Sequence, residues 1–152
     1  MSQEITFIEF RLGRQRFAIT CAQVVEVLPM LPMRPLAGAP PAVLGVATVR
    51  GGLLPLLDPR PRLGLPSWEP TSQAHIVSVN AAGRKLGLVV DSAEDIFQAR
   101  SEEICRPGEL EPRVPYGIGV LQRGNVPLLL VDLDALVNHD EWGQLVRASA
   151  RA

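Results

Sequence analysis

Arg16-Phe17-Ala18-Ile19-Thr20-Cys21-Ala22-Gln23-Val24-Val25-Glu26-Val27 is matched, without a gap and 69 residues further on, by Lys85-Leu86-Gly87-Leu88-Val89-Val90-Asp91-Ser92-Ala93-Glu94-Asp95-Ile96. Each stretch runs from a base through an apolar strand and a small polar break to an acid and an aliphatic residue. A second block behaves the same way. Gly45-Val46-Ala47-Thr48-Val49-Arg50-Gly51-Gly52-Leu53-Leu54-Pro55-Leu56-Leu57-Asp58 is echoed by Gly119-Val120-Leu121-Gln122-Arg123-Gly124-Asn125-Val126-Pro127-Leu128-Leu129-Leu130-Val131-Asp132, with a one-residue slip inside the turn. The two blocks keep their order in each half, so the chain reads as a duplicated small β unit, with too few copies for a solenoid.

Outward from these blocks the local grammar is that of hairpins. Thr6 to Leu12 alternates, Gly13-Arg14-Gln15 turns and Arg16 to Thr20 returns; His75 to Asn80, Ala81 to Arg84 and Lys85 to Val90 repeat the scheme. Arg50-Gly51-Gly52 and Arg123-Gly124-Asn125 read as further hairpin turns whose glycines take positive φ. Pro55 and Pro127 fall inside strands and, lacking an N–H for the ladder, are expected at an edge or a bulge. With 14 prolines and 13 glycines the chain is broken too often for an α/β fold. The pattern predicts an all-β architecture of short strands closed into barrels, with helix only in the tail, from Asp132 to Leu136 and from Asp140 to Val146. The Pro29 to Pro41 and Pro59 to Pro70 segments read as connecting loops, and the two halves are expected to pack directly on each other.

Composition narrows the function. A chain of 152 residues buries roughly 70% of its unfolded surface, enough for one core or two that share an interface. No apolar run approaches the roughly 20 residues of a membrane-spanning helix, and Glu4 stands where a signal peptide needs positive charge. The expectation is a cytoplasmic protein with no direct membrane insertion. The net charge is −1 and the basic residues are scattered, which leaves no footprint for nucleic acid. Cys21 and Cys105 form no C-x-x-C pair and read as reduced structural thiols. His75 and His139 sit in no nucleophile motif. Asp58, Asp91, Asp132 and Asp134 fall at strand ends, where carboxylates cap turns. Gly83-Arg84-Lys85 lacks the glycine spacing of a phosphate loop. The reading is therefore of a binding protein, without catalytic residues, metal or cofactor. A tandem-barrel nucleic-acid module and a thiol reaction at Cys21 are the rival readings. The first requires a basic face and stacking aromatics; the second requires an accessible thiolate.

From Ile5 to about Val137 the chain resembles the CheW family of bacterial chemotaxis coupling proteins. The family's pattern of a hairpin, V-x-E-I, G-V-x-N-L-R-G-x-x-x-P-x-x-D-L, a second hairpin ending G-L-V-V-D, then G-I-G with a closing strand and L-D is met here in order. It is met by Val24 to Val27, Gly45 to Asp58, Gly87 to Asp91, Gly117-Ile118-Gly119 and Val131-Asp132-Leu133. The resemblance implies a single domain over 5–137 made of two interlocked five-stranded SH3-like barrels. The repeated halves lie at about 16–70 and 75–132, and 138–152 is expected to form a C-terminal helical tail. It also implies an adaptor that joins the cytoplasmic domain of a chemoreceptor, a methyl-accepting protein, to a CheA-like histidine kinase. Carried over position by position, Val24, Glu26, Gly45 and Arg50 are receptor-facing, and the kinase-facing surface lies largely on the second barrel with no residue assigned. Thr48 in place of Asn, and Pro59 and Pro61 after Asp58, depart from the pattern. They leave open a paralogue serving a non-flagellar array, such as one for twitching, surface sensing or cyclic-dinucleotide control.

Overall fold

The computed structural model describes residues 3–40, 42–66, 68–106 and 116–137. The strands in chain order are β1 (Glu4–Leu12), β2 (Gln15–Thr20), β3 (Val24–Pro29), β4 (Val43–Val49), β5 (Gly52–Leu57), β6 (His75–Ala81), β7 (Arg84–Val90), β8 (Ser92–Arg100), β9 (Gly117–Arg123) and β10 (Val126–Val131). Short 3-10 turns follow β2 at Cys21–Gln23 and β8 at Ser101–Glu103, and one short helix, α1 (Leu133–Leu136), follows β10. Asp132 caps α1 by accepting the Ala135 N–H at 3.2 Å, as its place at a strand end foretells. The helical expectation for Asp140 to Val146, and with it the 138–152 tail, lies outside the described residues.

The strands form two five-stranded sheets of orders β8-β1-β2-β10-β9 and β3-β6-β7-β5-β4. Position by position these are one pattern, with each strand of the first half taking the place of the strand five later in the second. The sheets nevertheless cut across the sequence repeats. The hairpin of the first half, β1-β2, pairs with β8 and β10 of the second, while β6-β7 pairs with β3 and β5 of the first. The spans 16–70 and 75–132 therefore mark the repeats in sequence, and each sheet draws on both.

Alternation along the strands distributes the side chains over three apolar layers. Ile8, Phe10, Leu12, Phe17 and Ile19 from one sheet meet Val77, Val79, Leu86, Leu88 and Val90 from the other in a shared central core. Their opposite faces fill two smaller cores, around Phe7, Ala18, Leu121 and Leu130 in one sheet and Leu54, Leu56, Ile76 and Val89 in the other. Pro55 and Pro127 differ from expectation, because β5 and β10 lie inside their sheets and not at an edge. The second ladder of each begins only beyond the proline, at Leu56 opposite Gly87 and at Leu129 opposite Phe17, so the missing N–H takes no rung from it.

Candidate functional site

The curl of each sheet brings its two ends together, and an ion pair marks each closure. In the β3–β7 sheet, Glu26 on the end strand β3 meets Arg50, in the turn between β4 and β5 at the other end. Arg50 donates through both guanidinium nitrogens, with Nη2 at 2.7 Å from Glu26 Oε2, a bidentate fork that a lysine does not reproduce. This pairing holds the Glu26 carboxyl below the ordinary glutamate range and raises Arg50 above the ordinary arginine value.

The sequence sets this geometry with two local devices. The β3–β6 register shifts between Val24 and Glu26, a bulge at Val25 that re-aims the carboxylate at the end of the strand. Arg50 itself occupies left-handed backbone at φ 49°, followed by Gly51 at 78°, the two positive φ values of a type I′ hairpin. The expectation that Gly51 and Gly52 supply the positive φ thus holds for Gly51 alone, since Gly52 already opens β5. An arginine at a position that favours Gly, Asn or Asp costs about 1 kcal/mol or more, and its side chain is the one that reaches Glu26.

The four residues singled out by sequence have different settings. Glu26 and Arg50 touch. Val24 is half-buried and packs against the central core. Gly45 contributes no side chain to the surface; the backbone of Arg34 crosses directly over it, and an added Cβ would run into the Arg34 carbonyl oxygen and lie 2.9 Å from its carbon. The crossing is held by a bridge, Arg34 N–H to Val46 O and Val46 N–H to Arg34 O, both 2.9 Å. Sequence reasoning missed the exposed side chains around them, Val25, Val27 and Leu53, although the more buried settings of Val24, Glu26 and Leu28 alternate with them along β3. Leu53 and Thr48 also line a groove of about 700 Å³ between the β4-β5 face and the Pro32 to Leu36 segment.

A buried polar knot lies where the two sheets meet. Arg60, 4% exposed, donates to Asp58 at 3.3 Å and to Asp91, and its guanidinium stacks 3.8 Å over Trp68. Asp91 in turn accepts the Gly13 N–H from the β1-β2 turn of the other sheet, so the knot ties the ends of β5 and β7 to that hairpin. Burial pushes the Asp58 carboxyl up, against its bonds from Arg60. The remaining candidates for chemistry have structural partners. His75 Nδ1 accepts the Ala93 N–H at 2.9 Å, and burial raises the Cys21 thiol. His139 lies outside the described residues. Among those residues no group of three His, Cys, Asp or Glu is placed to hold a metal ion, and no helix is long and apolar enough to cross a membrane.

Fold and surface together define a class, a double β-barrel module with an ion pair at the closure of each sheet and exposed aliphatic side chains beside it. The family model for the CheW-like domain matches residues 6–141, and the chain belongs to that family. It is 32% identical over 136 residues to the chemotaxis protein CheW of Rhizobium meliloti, covering 88% of each chain. It is 26% identical over 135 residues to the chemotaxis protein CheW of Bacillus subtilis, covering 88% of this chain and 86% of that one. The crystal structure of the scaffolding protein TtCheW from Thermoanaerobacter tengcongensis superposes with a TM-score of 0.81 at 20% identity, over 91% of this chain and 97% of that one, which shows the shared fold.

Proposed function

We propose that this protein is a non-catalytic adaptor that couples the cytoplasmic domain of a chemoreceptor to a CheA-like histidine kinase in a cytoplasmic, membrane-recruited array. The observation that carries the reading is the forked Arg50–Glu26 pair, held at a barrel rim with exposed Val25 and Val27 on the strand that bears Glu26 and exposed Leu53 just after Arg50. A helical receptor hairpin offers the complementary shape and chemistry: an apolar stripe for the aliphatic side chains and a polar edge for the ion pair. Glu26 and Arg50 are the receptor contacts in this reading. Val24 sets the strand against the core, and Gly45 lets the Arg34 segment close over β4. Membership of the CheW-like family supports the assignment of partners.

Each contact is expected to be modest. A micromolar interface is worth about −8 kcal/mol, and an array gains strength from several such links at high effective concentration. The departures from the family pattern at Thr48, which lines the groove beside Leu53, and at Pro59, which precedes the buried Arg60, leave open a second reading in which the array is a non-flagellar one. Co-purification against each chemoreceptor cytoplasmic fragment and each CheA-like kinase of the source organism tests both. A ternary complex with one receptor and one kinase is the expected result and names the array; failure to capture either class of partner refutes the adaptor role.

A further inference from the structure

The barrel built on β8-β1-β2-β10-β9 is sealed at one end and hollow at the other. Alternation puts Ile5, Phe7 and Glu9 of β1 on one face, with Ala18 opposite Glu9 and Thr20 opposite Phe7 on β2. At the Glu9 end the buried carboxylate accepts bonds from Arg16 at 2.5 Å and Arg123 at 3.0 Å, and Arg123 stacks 4.3 Å over Phe97. At the Ile5 end lies a cavity of about 250 Å³, lined by the buried Phe7 and Leu130 and by Ile5, Ile104 and the exposed Ile118. Thr20, Ser101 and the exposed Arg106 supply its polar lining. Backbone bonds hold this frame in place. The Ser101 N–H donates to Gln3 O at 3.0 Å, and the Cys105–Val120 bridge, with bonds of 2.9 and 2.8 Å, fastens the segment carrying Ile104 and Arg106 to β9. The cavity is therefore preformed.

The sister barrel shows why the space stands open. Ala74, Ile76, Leu44 and Leu56 hold there the places of Ile5, Phe7, Ile118 and Leu130, and that core is covered by Met30, Leu31 and Met33, which follow β3, together with Trp68. The segment that follows β8 is instead the 3-10 turn Ser101-Glu102-Glu103, with no apolar side chain to offer. Both acids of that turn engage Arg100, Glu102 at 4.0 Å and Glu103 by accepting its N–H at 3.1 Å, which leaves Arg106 to set the sign of the mouth.

We infer that this cavity is a binding site for a small carboxylic acid with a hydrocarbon tail, the tail entering against Phe7, Ile118 and Leu130 and the carboxylate resting on Arg106 and the Ser101 hydroxyl. Size and charge choose the ligand. A cavity of about 150 Å³ takes up a benzene ring and drug-sized molecules occupy about 300 to 1,000 Å³, so the space here suits a chain or ring of roughly six to ten carbons. A guanidinium beside a hydroxyl is a charge-assisted donor set for a carboxylate, which gives orientation to a ligand whose body is held by apolar contact alone. The site stands apart from the adaptor reading, and neither proposed partner enters its test.

Calorimetric titration of the full chain with octanoate tests it, with octanol lacking the charged head and butyrate lacking the tail as comparison ligands. The expected result is saturable binding of one octanoate per chain, with octanol and butyrate each weaker by about tenfold or more. Arg106→Gln is expected to weaken octanoate about tenfold and leave octanol unchanged, while Ile118→Asp weakens both. Both positions are exposed, and Arg106→Gln decides the matter where Ile118→Asp lowers the denaturation midpoint. Octanol or butyrate bound as tightly as octanoate overturns the inference, and so does octanoate binding that Arg106→Gln leaves at the wild-type affinity. If the cavity instead seats an apolar side chain of a protein, the wild-type chain shows no saturable uptake of octanoate, which overturns it as well.

Discussion

Replacing Gly45 by alanine separates a packing role from a contact role at a position that sequence resemblance assigns to the receptor. The added methyl meets backbone, the Arg34 carbonyl and the Pro35 nitrogen 3.3 Å away, with no flexible side chain to yield. Relief requires the Arg34 segment to lift, which breaks both hydrogen bonds of the Arg34–Val46 bridge. Each such bond is worth about 1 kcal/mol, and the overpacking itself costs about 1 to 3 kcal/mol. Alanine returns about 0.5 to 1 kcal/mol by restricting the unfolded chain. The net loss is about 2 to 4 kcal/mol, or a fall in Tm of about 5 to 15 °C at this chain length. Chemical denaturation monitored by the fluorescence of the two tryptophans measures it. Gly119 provides an internal check on the other sheet, where the Cys105 carbonyl oxygen lies 2.9 Å from the position of an added Cβ and the bridge Cys105–Val120 has bonds of 2.9 and 2.8 Å. Gly119→Ala is expected to lose a similar amount. A Gly45→Ala protein with an unchanged denaturation midpoint and lost receptor binding refutes the reasoning.

Arg60→Met strands two carboxylates, Asp58 and Asp91, beside the inter-sheet core and is expected to cost about 3 to 5 kcal/mol; the triple variant that also carries Asp58→Asn and Asp91→Asn recovers much of it, and equal midpoints for wild type and Arg60→Met contradict the knot. Arg50→Ala leaves the fold intact, because the side chain is exposed, and weakens receptor docking by about 1 to 2 kcal/mol in a titration with the receptor fragment; undiminished docking removes Arg50 from that surface. Glu26 has a lowered folded pKa, so its contribution is present above the unfolded glutamate value and disappears as pH falls through the folded value. The stability gap between wild type and Glu26→Gln is therefore expected to close on acidification. Asp58, raised by burial, works in the opposite sense, its ionisation opposing the fold as pH rises through its folded pKa. Because Asp58 is common to both proteins, a gap that stays constant from neutral pH to about pH 3 argues against the Glu26–Arg50 pairing.

The hairpins, the duplication and the barrel class were legible because they are local or periodic: the 69-residue spacing and the turn glycines are properties of the string itself. Strand exchange was not, since alternation fixes which face of β1 is apolar but says nothing about whether β8 or β3 lies beside it. At the candidate site, Glu26 and Arg50 were found by pattern, the string left them as either solvated charges or a pair that holds the barrel together, and the curl of the sheet decides for the pair. Val24-Val25-Glu26-Val27 hides its inward face because valine serves equally well on either side of an end strand. Gly45 is explained only by the backbone that crosses it. Arg60 sits between two prolines in what reads as a loop, and the carboxylate that completes its burial, Asp91, is 31 residues away.

The crossing of hairpins between the two sheets has an implication for how the molecule arose and how it divides. A fragment ending near residue 70 would own an opening hairpin with no neighbour and three strands wanting one, and the complementary fragment would be in the same position. Two copies of a single ancestral unit satisfy each other by trading hairpins, as in a swapped homodimer. In this protein both halves of that trade lie on one continuous chain, so neither sheet can form without strands from each half.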